Sequence, residues 1–328
     1  MSIKDTIVAN TADMQTAIDI LSQVESEKTM VTIDGEPYEG ELELVSNIAD
    51  IIFSTLPYNF YSGAAVVYND EIHILGGTVG CTSHYKWDGV SWVSVSTLPY
   101  DFYAAPAVVY NDEIHIFGSS ASGNYTNHYK WDGAKWTSVS TLPYNSYSKG
   151  YSAAVYENEI HIIYMYGENG TNRGHYKWDG TSWISVDTLY SVTCSSGKIH
   201  PILVVCNNKL YSLIWHNPYS SFKVFSGTGW GNANGSNALS HSCYYGDAVA
   251  CDDEIHLMGG NANSTTNCVN HYKWRNSTDG WIEDYGLPYD FYNGEAVVHK
   301  GKIHILGSSG SEHQLKHYAV VAPVYISN

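Results

Sequence analysis

Histidine is the residue whose spacing in this sequence first invites a chemical reading. It falls at positions 73, 115, 161, 256 and 304, and again at 84, 128, 175, 271 and 317. An imidazole can ligate a metal, act as a general base or carry a proton. Both series, however, advance by one copy of a long internal repeat, so each His is the counterpart of the others. In the fourth copy the first series holds Tyr211 instead. Counterparts one repeat apart stand too far from each other to share an ion. The reading that survives is packed or hydrogen-bonded His, with no metal and no cofactor expected.

Other reactive residue types thin out in the same way. Six Cys (81, 194, 206, 243, 251 and 268) form no C-x-x-C pair. Cys206 and Cys251 occupy the place of Tyr68 in their own copies, which suits small buried hydrophobes. Free thiols in a protein made in a reducing cytoplasm are therefore expected. No G-x-S-x-G, H-E-x-x-H or phosphate-cradling glycine loop occurs. Asp101 and Asp290 could supply paired carboxylates for glycoside cleavage, but they lie in equivalent connectors, which favours packing.

The elements that must position these residues repeat down the chain. Residues 64–96 read AAVVYNDEIHILGGTVGCTSHYKWDGVSWVSVS, and close copies fill 107–140 and 153–186. Connectors of one kind separate them: TLPYNFY at 55–61, TLPYDFY at 97–103, TLPYNSY at 141–147 and GLPYDFY at 286–292. Each copy reads as four short strands. AAVVY turns at Asn69-Asp70 into EIHIL, and HYKW turns at Asp88-Gly89 into SWVSV, both signals of tight hairpins. Four antiparallel strands per repeat of this length make the blade of a β-propeller.

These units resemble kelch repeats. The matching residues are the apolar first strand, Ile72-His73-Ile74-Leu75 with Gly76-Gly77, then Trp87-Asp88 and Trp92. The double glycine persists only at 76–77 and 259–260 and becomes Gly-Ser at 118–119 and 307–308. The resemblance covers about residues 47–328 and implies a fold, since kelch propellers serve unrelated roles. Second-strand anchors at Ile72, Ile114, Ile160, Leu210, Ile255 and Ile303 predict an all-β, six-bladed ring. The sixth copy lacks the Asp-Gly turn and the Trp. DIIFSTLPY (50–58) lies on WVSVSTLPY (92–100) without gaps, which predicts that 51–54 closes the last blade. Closure by Val324–Ser327 is the competing possibility.

Residues 1–46 form a separate segment. Met14, Ile18, Leu21 and Val24 are at helical spacing, and Asp34-Gly35 signals a hairpin. The segment is expected to lie on the ring as a lid, to dock to a larger assembly or to self-associate. Residues 1–50 carry 11 acids and two bases, within a chain of net charge −17. Polyanions bind clusters of Lys and Arg, and there are none, so nucleic acid and anionic membrane are not expected partners. No apolar run approaches the length that spans a bilayer, and the start lacks the pattern of a secretory signal.

The aromatic content is high, with 28 Tyr and 10 Trp. Nine of the ten Trp recur once per copy, which marks them as filling between blades. The copies diverge in the loops between second and third strands, which emerge beside the connectors on one face. That face is the predicted binding surface: Tyr58, Tyr61, Tyr100, Asp101, Tyr103, Asn124, Tyr144, Tyr147, Arg173, Asn261, Tyr289, Asp290 and Tyr292. Neutral hydrogen-bonding groups around aromatic rings suit a glycan or an uncharged protein surface. A sialidase-like propeller needs three Arg, and the chain has only Arg173 and Arg275. The expectation is a non-enzymatic binding module. Near-verbatim copies and an acidic handle resemble a bacteriophage fibre or tail receptor-binding protein. An intracellular scaffold and a glycan-acting or copper-dependent enzyme are the alternatives.

Overall fold

A computed structural model describes residues 32–33 and 36–37. From 52 to 320 it describes all except 119–124, 145–149, 167–171, 188, 190–198, 217–218, 234–243, 261–267, 277, 285 and 311–313. The expected helix at 11–24 and the competing strand at 324–327 lie outside these residues. The Asp34-Gly35 hairpin appears as β1 (Thr32–Ile33) antiparallel to β2 (Glu36–Pro37).

Alternation of apolar and polar residues with turn pairs between them produces six four-stranded antiparallel sheets. After β3 (Ile52–Thr55), blade 1 is β4 (Ala64–Tyr68), β5 (Glu71–Leu75), β6 (Ser83–Trp87) and β7 (Trp92–Thr97). Blade 2 is β8 (Ala107–Tyr110), β9 (Glu113–Phe117), β10 (Asn127–Trp131) and β11 (Trp136–Thr141). Blade 3 is β12 (Tyr151–Tyr156), β13 (Glu159–Tyr166), β14 (Asn172–Trp178) and β15 (Trp183–Asp187). Blade 4 is β16 (Ile199–Cys206), β17 (Lys209–His216), β18 (Tyr219–Phe225) and β19 (Trp230–Asn232). Blade 5 is β20 (Asp247–Cys251), β21 (Glu254–Met258), β22 (His271–Trp274) and β23 (Trp281–Glu283). Blade 6 joins β24 (Glu295–His299), β25 (Lys302–Leu306) and β26 (Lys316–Val320) to β3.

That last pairing closes the ring with an N-terminal strand, as the gapless overlap of 50–58 with 92–100 predicts. Lys316 faces Thr55 and His317 faces Ser54, followed by a bulge. The innermost strands contact one another in turn (β4, β8, β12, β16, β20, β24 and back to β4), so six blades surround one axis. The fold is an all-β, six-bladed β-propeller.

Turn chemistry fixes each blade. Both central residues of the inner hairpins take positive φ, as at Asn69 (51°) and Asp70 (60°), the requirement of a two-residue type I′ turn. The Asp88 carboxylate accepts the N–H groups of Val90 and Ser91, both at 2.8 Å, so a side chain bridges the outer turn. The glycine after the second strand answers to the neighbouring blade. A Cβ on Gly76 (φ +62°) would meet the carbonyl oxygen of Phe102 at 2.0 Å, and one on Gly307 would meet that of Phe60 at 1.9 Å. Connector and blade cannot approach this closely around any other residue.

The core lies between blades. Phe60, Phe102 and Phe291 of the connectors are fully buried. Ala64, Leu75, Ile114, Ile116 and Trp131, for example, share one apolar cluster that spans blades 1 and 2. Cys206 and Cys251 are buried free thiols in the column of Tyr68.

Candidate functional site

The two His series meet inside each blade. His73 Nδ1 lies 2.8 Å from His84 Nε2, and the same bond joins His115 to His128, His161 to His175, His256 to His271 and His304 to His317, at 2.8–2.9 Å. Blade 4 substitutes Tyr211 stacked on Phe222, with ring centroids 5.4 Å apart. Sequence reasoning treated the series as independent. Their strands pair directly, with His73 opposite Lys86 and Leu75 opposite His84.

The chain of hydrogen bonds continues across the blade boundary. His84 Nδ1 is 2.8 Å from Ser96 Oγ, which accepts the Trp136 indole N–H of blade 2 at 3.0 Å. His128, Ser140 and Trp183 repeat this, as do His317, Ser54 and Trp92. Each neutral imidazole carries one N–H, so a single polarity can run through the chain. The outer Nε2 of His115 and of His161 points toward Glu113 and Glu159, at 3.9 and 4.0 Å. An N–H there fits the carboxylate, which sets the direction Trp to Ser to His to His. Burial lowers His73, His115 and His161 to about 4, and His84, His128, His175 and His304 to about 3. Charging both rings of a pair would set donor against donor. In blades 1, 2, 3 and 6 these histidines are buried, hydrogen-bonded and packed against the next blade.

The predicted binding face divides in two. Tyr100, Tyr144 and Tyr289 are buried, and Tyr58 is half-buried with its hydroxyl donating to the Gly76 carbonyl at 2.8 Å. Each packs on the third-strand Tyr of the blade it enters: Tyr58 on Tyr85, Tyr100 on Tyr129, Tyr144 on Tyr176 and Tyr289 on Tyr318. Their placement on a ligand face is therefore corrected, because the first connector Tyr seals a blade. Arg173 donates through Nε to the Leu189 carbonyl at 2.8 Å. Asp290 accepts the Cys268 N–H at 2.7 Å, and its equivalent Asp101 is likewise half-buried in its connector. Asn124, Tyr147 and Asn261 lie outside the described residues.

Tyr61, Tyr103 and Tyr292, the last residues of their connectors, are half-buried, and each immediately precedes a residue at one mouth of the axial channel, Ser62, Ala104 and Asn293. A cavity of about 200 Å³ opens there, lined by the first residues of all six inner strands and those just before them. Blades 1 and 2 contribute only small side chains, from Ser62 to Ala65 and from Ala104 to Ala107. Blades 4, 5 and 6 contribute His200, Tyr245, Asp247, Asn293 and Glu295. The Tyr245 ring stands 5.5 Å from His200 and 5.0 Å edge-on from Tyr292, and its hydroxyl accepts that of Tyr244 at 2.8 Å. The Ser62 hydroxyl hydrogen-bonds to Tyr103.

Four blades brace this mouth through the backbone. The N–H of Asn293 donates to the Tyr245 carbonyl, that of Ser62 to Asn293, and that of Ala104 to Ser62, at 2.7–2.8 Å. Tyr245, Asn293, Ser62 and Ala104 all hold positive φ, between 51° and 63°. Each costs about 1 kcal/mol or more for a non-glycine residue. Asp247 adds a staple, accepting the N–H of Ala248 and of Ala296 in the next blade, both at 2.8 Å. Burial pushes its carboxyl up to about 6 despite these two bonds.

A likeness to known proteins appears at the level of fold. No protein-family model matches the chain, and no curated protein does. Among solved structures, one titled "Structure of YjhT" superposes with a TM-score of 0.62 at 12% identity, covering 81% of this chain and 95% of that one. The propeller is shared with YjhT. At this identity the likeness to YjhT extends to the fold alone.

Sequence reasoning missed His200, Tyr245, Asp247, Asn293 and Glu295. The signal was present in two columns. Ser62, Ala104, His200, Tyr245 and Asn293 stand six residues before the last residue of their inner strands. Ala64, Pro106, Ser152, Ile202, Asp247 and Glu295 stand four before it. These are the variable positions of an otherwise repetitive strand.

Proposed function

We propose that this protein is a non-catalytic binding module that takes a neutral glycan at the channel mouth. The observation that carries the reading is the collection of Tyr245, His200 and Asn293 around one cavity on blades 4–6, with the Tyr292 ring packed edge-on against Tyr245. Aromatic rings offer apolar faces to the C–H surface of a sugar, while amide, imidazole and phenol groups satisfy its hydroxyls. A net charge of −17 disfavours acidic polysaccharides. Recognition without turnover is supported by Asp247, whose two oxygens are each engaged by a backbone N–H.

The setting we infer is the exterior of a bacteriophage particle, with residues 1–46 as the attachment. Near-verbatim repetition of whole blades and the acidic N-terminal segment support it. A glycan array probed with the full chain and with Tyr292→Ala tests the binding reading. Selective binding that falls by about tenfold or more in the variant, a loss of about 1.4 kcal/mol, is the expected result. Equal binding by both proteins would remove the channel mouth as the site.

A further inference from the structure

We propose that blade 5 carries a site for one divalent transition-metal ion, of the zinc, nickel or copper kind, ligated by His256, His271 and Asp284. One ligand atom from each lies within 4.8 Å of those from the other two. The comparison that picks out this cluster is internal: five blades repeat the same His pair, and among the described residues only in blade 5 does a carboxylate come within 4.8 Å of a ligand nitrogen of both rings.

In blades 1, 2 and 6 a Ser follows the second His, and an indole N–H from the next blade seals it. In blade 3, His175 is covered by Phe225 and Trp230 of blade 4, with ring centroids 4.9 and 5.4 Å away. Three departures coincide in blade 5. Asp284 stands where blades 1, 2 and 3 have Val95, Val139 and Val186, and its N–H donates to the His271 carbonyl at 2.7 Å. Blade 6, which follows, contains none of the ten Trp; Val320 and Asp50 hold the positions of Trp87 and Trp92. His256 is half-buried, whereas His73, His115, His161 and His304 are only 2–3% exposed.

The donor chemistry fits an ion of this class. Two neutral imidazole nitrogens and a carboxylate oxygen are a common set for zinc and its neighbours, with water completing the shell. His256 Nδ1 and His271 Nε2 are 2.9 Å apart. Two nitrogens on one tetrahedral ion, each about 2.0–2.1 Å from it, are separated by roughly 3.3 Å. An ion can therefore replace the shared proton with a small opening of the pair. Asp284 Oδ2 lies 4.0 Å from the other ring nitrogen of His271, Nδ1, so its side chain must turn toward Nε2 to join the ion.

The surrounding charges allow this. Glu254 is held by Arg275, whose Nε donates to Oε1 at 2.7 Å. In blades 1–3 the corresponding Glu binds the third-strand Lys. Lys273 instead approaches Asp284, at 3.6 Å. An ion would displace this partly exposed ammonium, and such pairs hold weakly.

Isothermal titration of the full chain with Zn²⁺ at pH 7.5, where the imidazoles are neutral, tests the site. One saturable site per chain is expected. Asp284→Ser should weaken it by about tenfold or more with the melting temperature of the metal-free protein retained. His115→Tyr in sealed blade 2, which copies Tyr211 of blade 4, should leave the affinity unchanged. With Cu²⁺ as the probe, electron paramagnetic resonance should show coupling to two imidazole nitrogens, lost in His256→Tyr. The absence of one-to-one binding, or equal affinity in Asp284→Ser, would overturn the assignment.

Discussion

Blades 1–3 and blades 4–6 use the same four strands and the same turns, yet they carry different burdens. The first three are near copies, and their His, Ser and Trp columns close upon each other at both boundaries of blade 2, while in blade 3 Asp187 stands opposite His175 and rings of blade 4 cover it. The second three depart from the pattern at scattered positions: Tyr211 and Phe222 for a His pair, Asp284 for Val, and no Trp in blade 6. The same half supplies His200, Tyr245, Asp247, Asn293 and Glu295 to the channel mouth. Repetition in this molecule marks what holds blades together, and chemistry collects where a copy breaks the repeat.

The largest test of that division is removal of residues 1–55. It strips β3 from blade 6, leaves β26 as an open edge and deletes Ser54, which joins His317 to Trp92. Loss of any cooperative melting transition is expected; a truncated chain that melts like the whole would return closure to the C-terminal end.

Acid comes next. His values lowered by burial mean that the unfolded chain binds the extra protons. Stability is full above about pH 6.5 and falls as pH drops toward 4 and then 3. Counting one proton per hydrogen-bonded pair, the loss at pH 5 is about 2 kcal/mol per pair. Asp247, raised to about 6, works in the opposite direction but is a single group. Four sealed pairs outweigh it, so the midpoint in urea should fall steeply from pH 7 to pH 5. A flat profile would mean the pairs are not buried neutral.

A third test separates two residues of one connector. Tyr100→Ala should cost about 3–5 kcal/mol, the range for emptying a buried aromatic site. Tyr103→Ala should cost much less and instead weaken glycan binding. Chemical denaturation beside the array assay reads both effects. The smallest effect expected is from the double change His115→Tyr with His128→Phe, which gives blade 2 the pair of blade 4. It should remove about 2 kcal/mol of the acid sensitivity at pH 5, measured from denaturant midpoints at pH 7 and pH 5.

The ring was legible in the sequence because its determinants are local and repeated. Asn-Asp and Asp-Gly turns, alternating strands and the overlap of 50–58 with 92–100 each act within a few residues. The channel mouth was not legible in the same way. Tyr58 and Tyr61 share a connector and a residue type, yet one packs on Tyr85 while the other is next to Ser62 of the cavity wall, a difference of strand geometry that composition does not carry. Tyr100 and Tyr103 repeat the lesson. The His–His bonds were equally hidden, because they arise from the register of β5 on β6 and not from sequence neighbours.

A crystal structure of the full chain soaked with the strongest glycan from the array tests the central claim most directly. The account predicts sugar density at the channel mouth in contact with Tyr245, Tyr292 and Asn293. Density on the outer strands or on the opposite mouth, with that cavity empty, would contradict it.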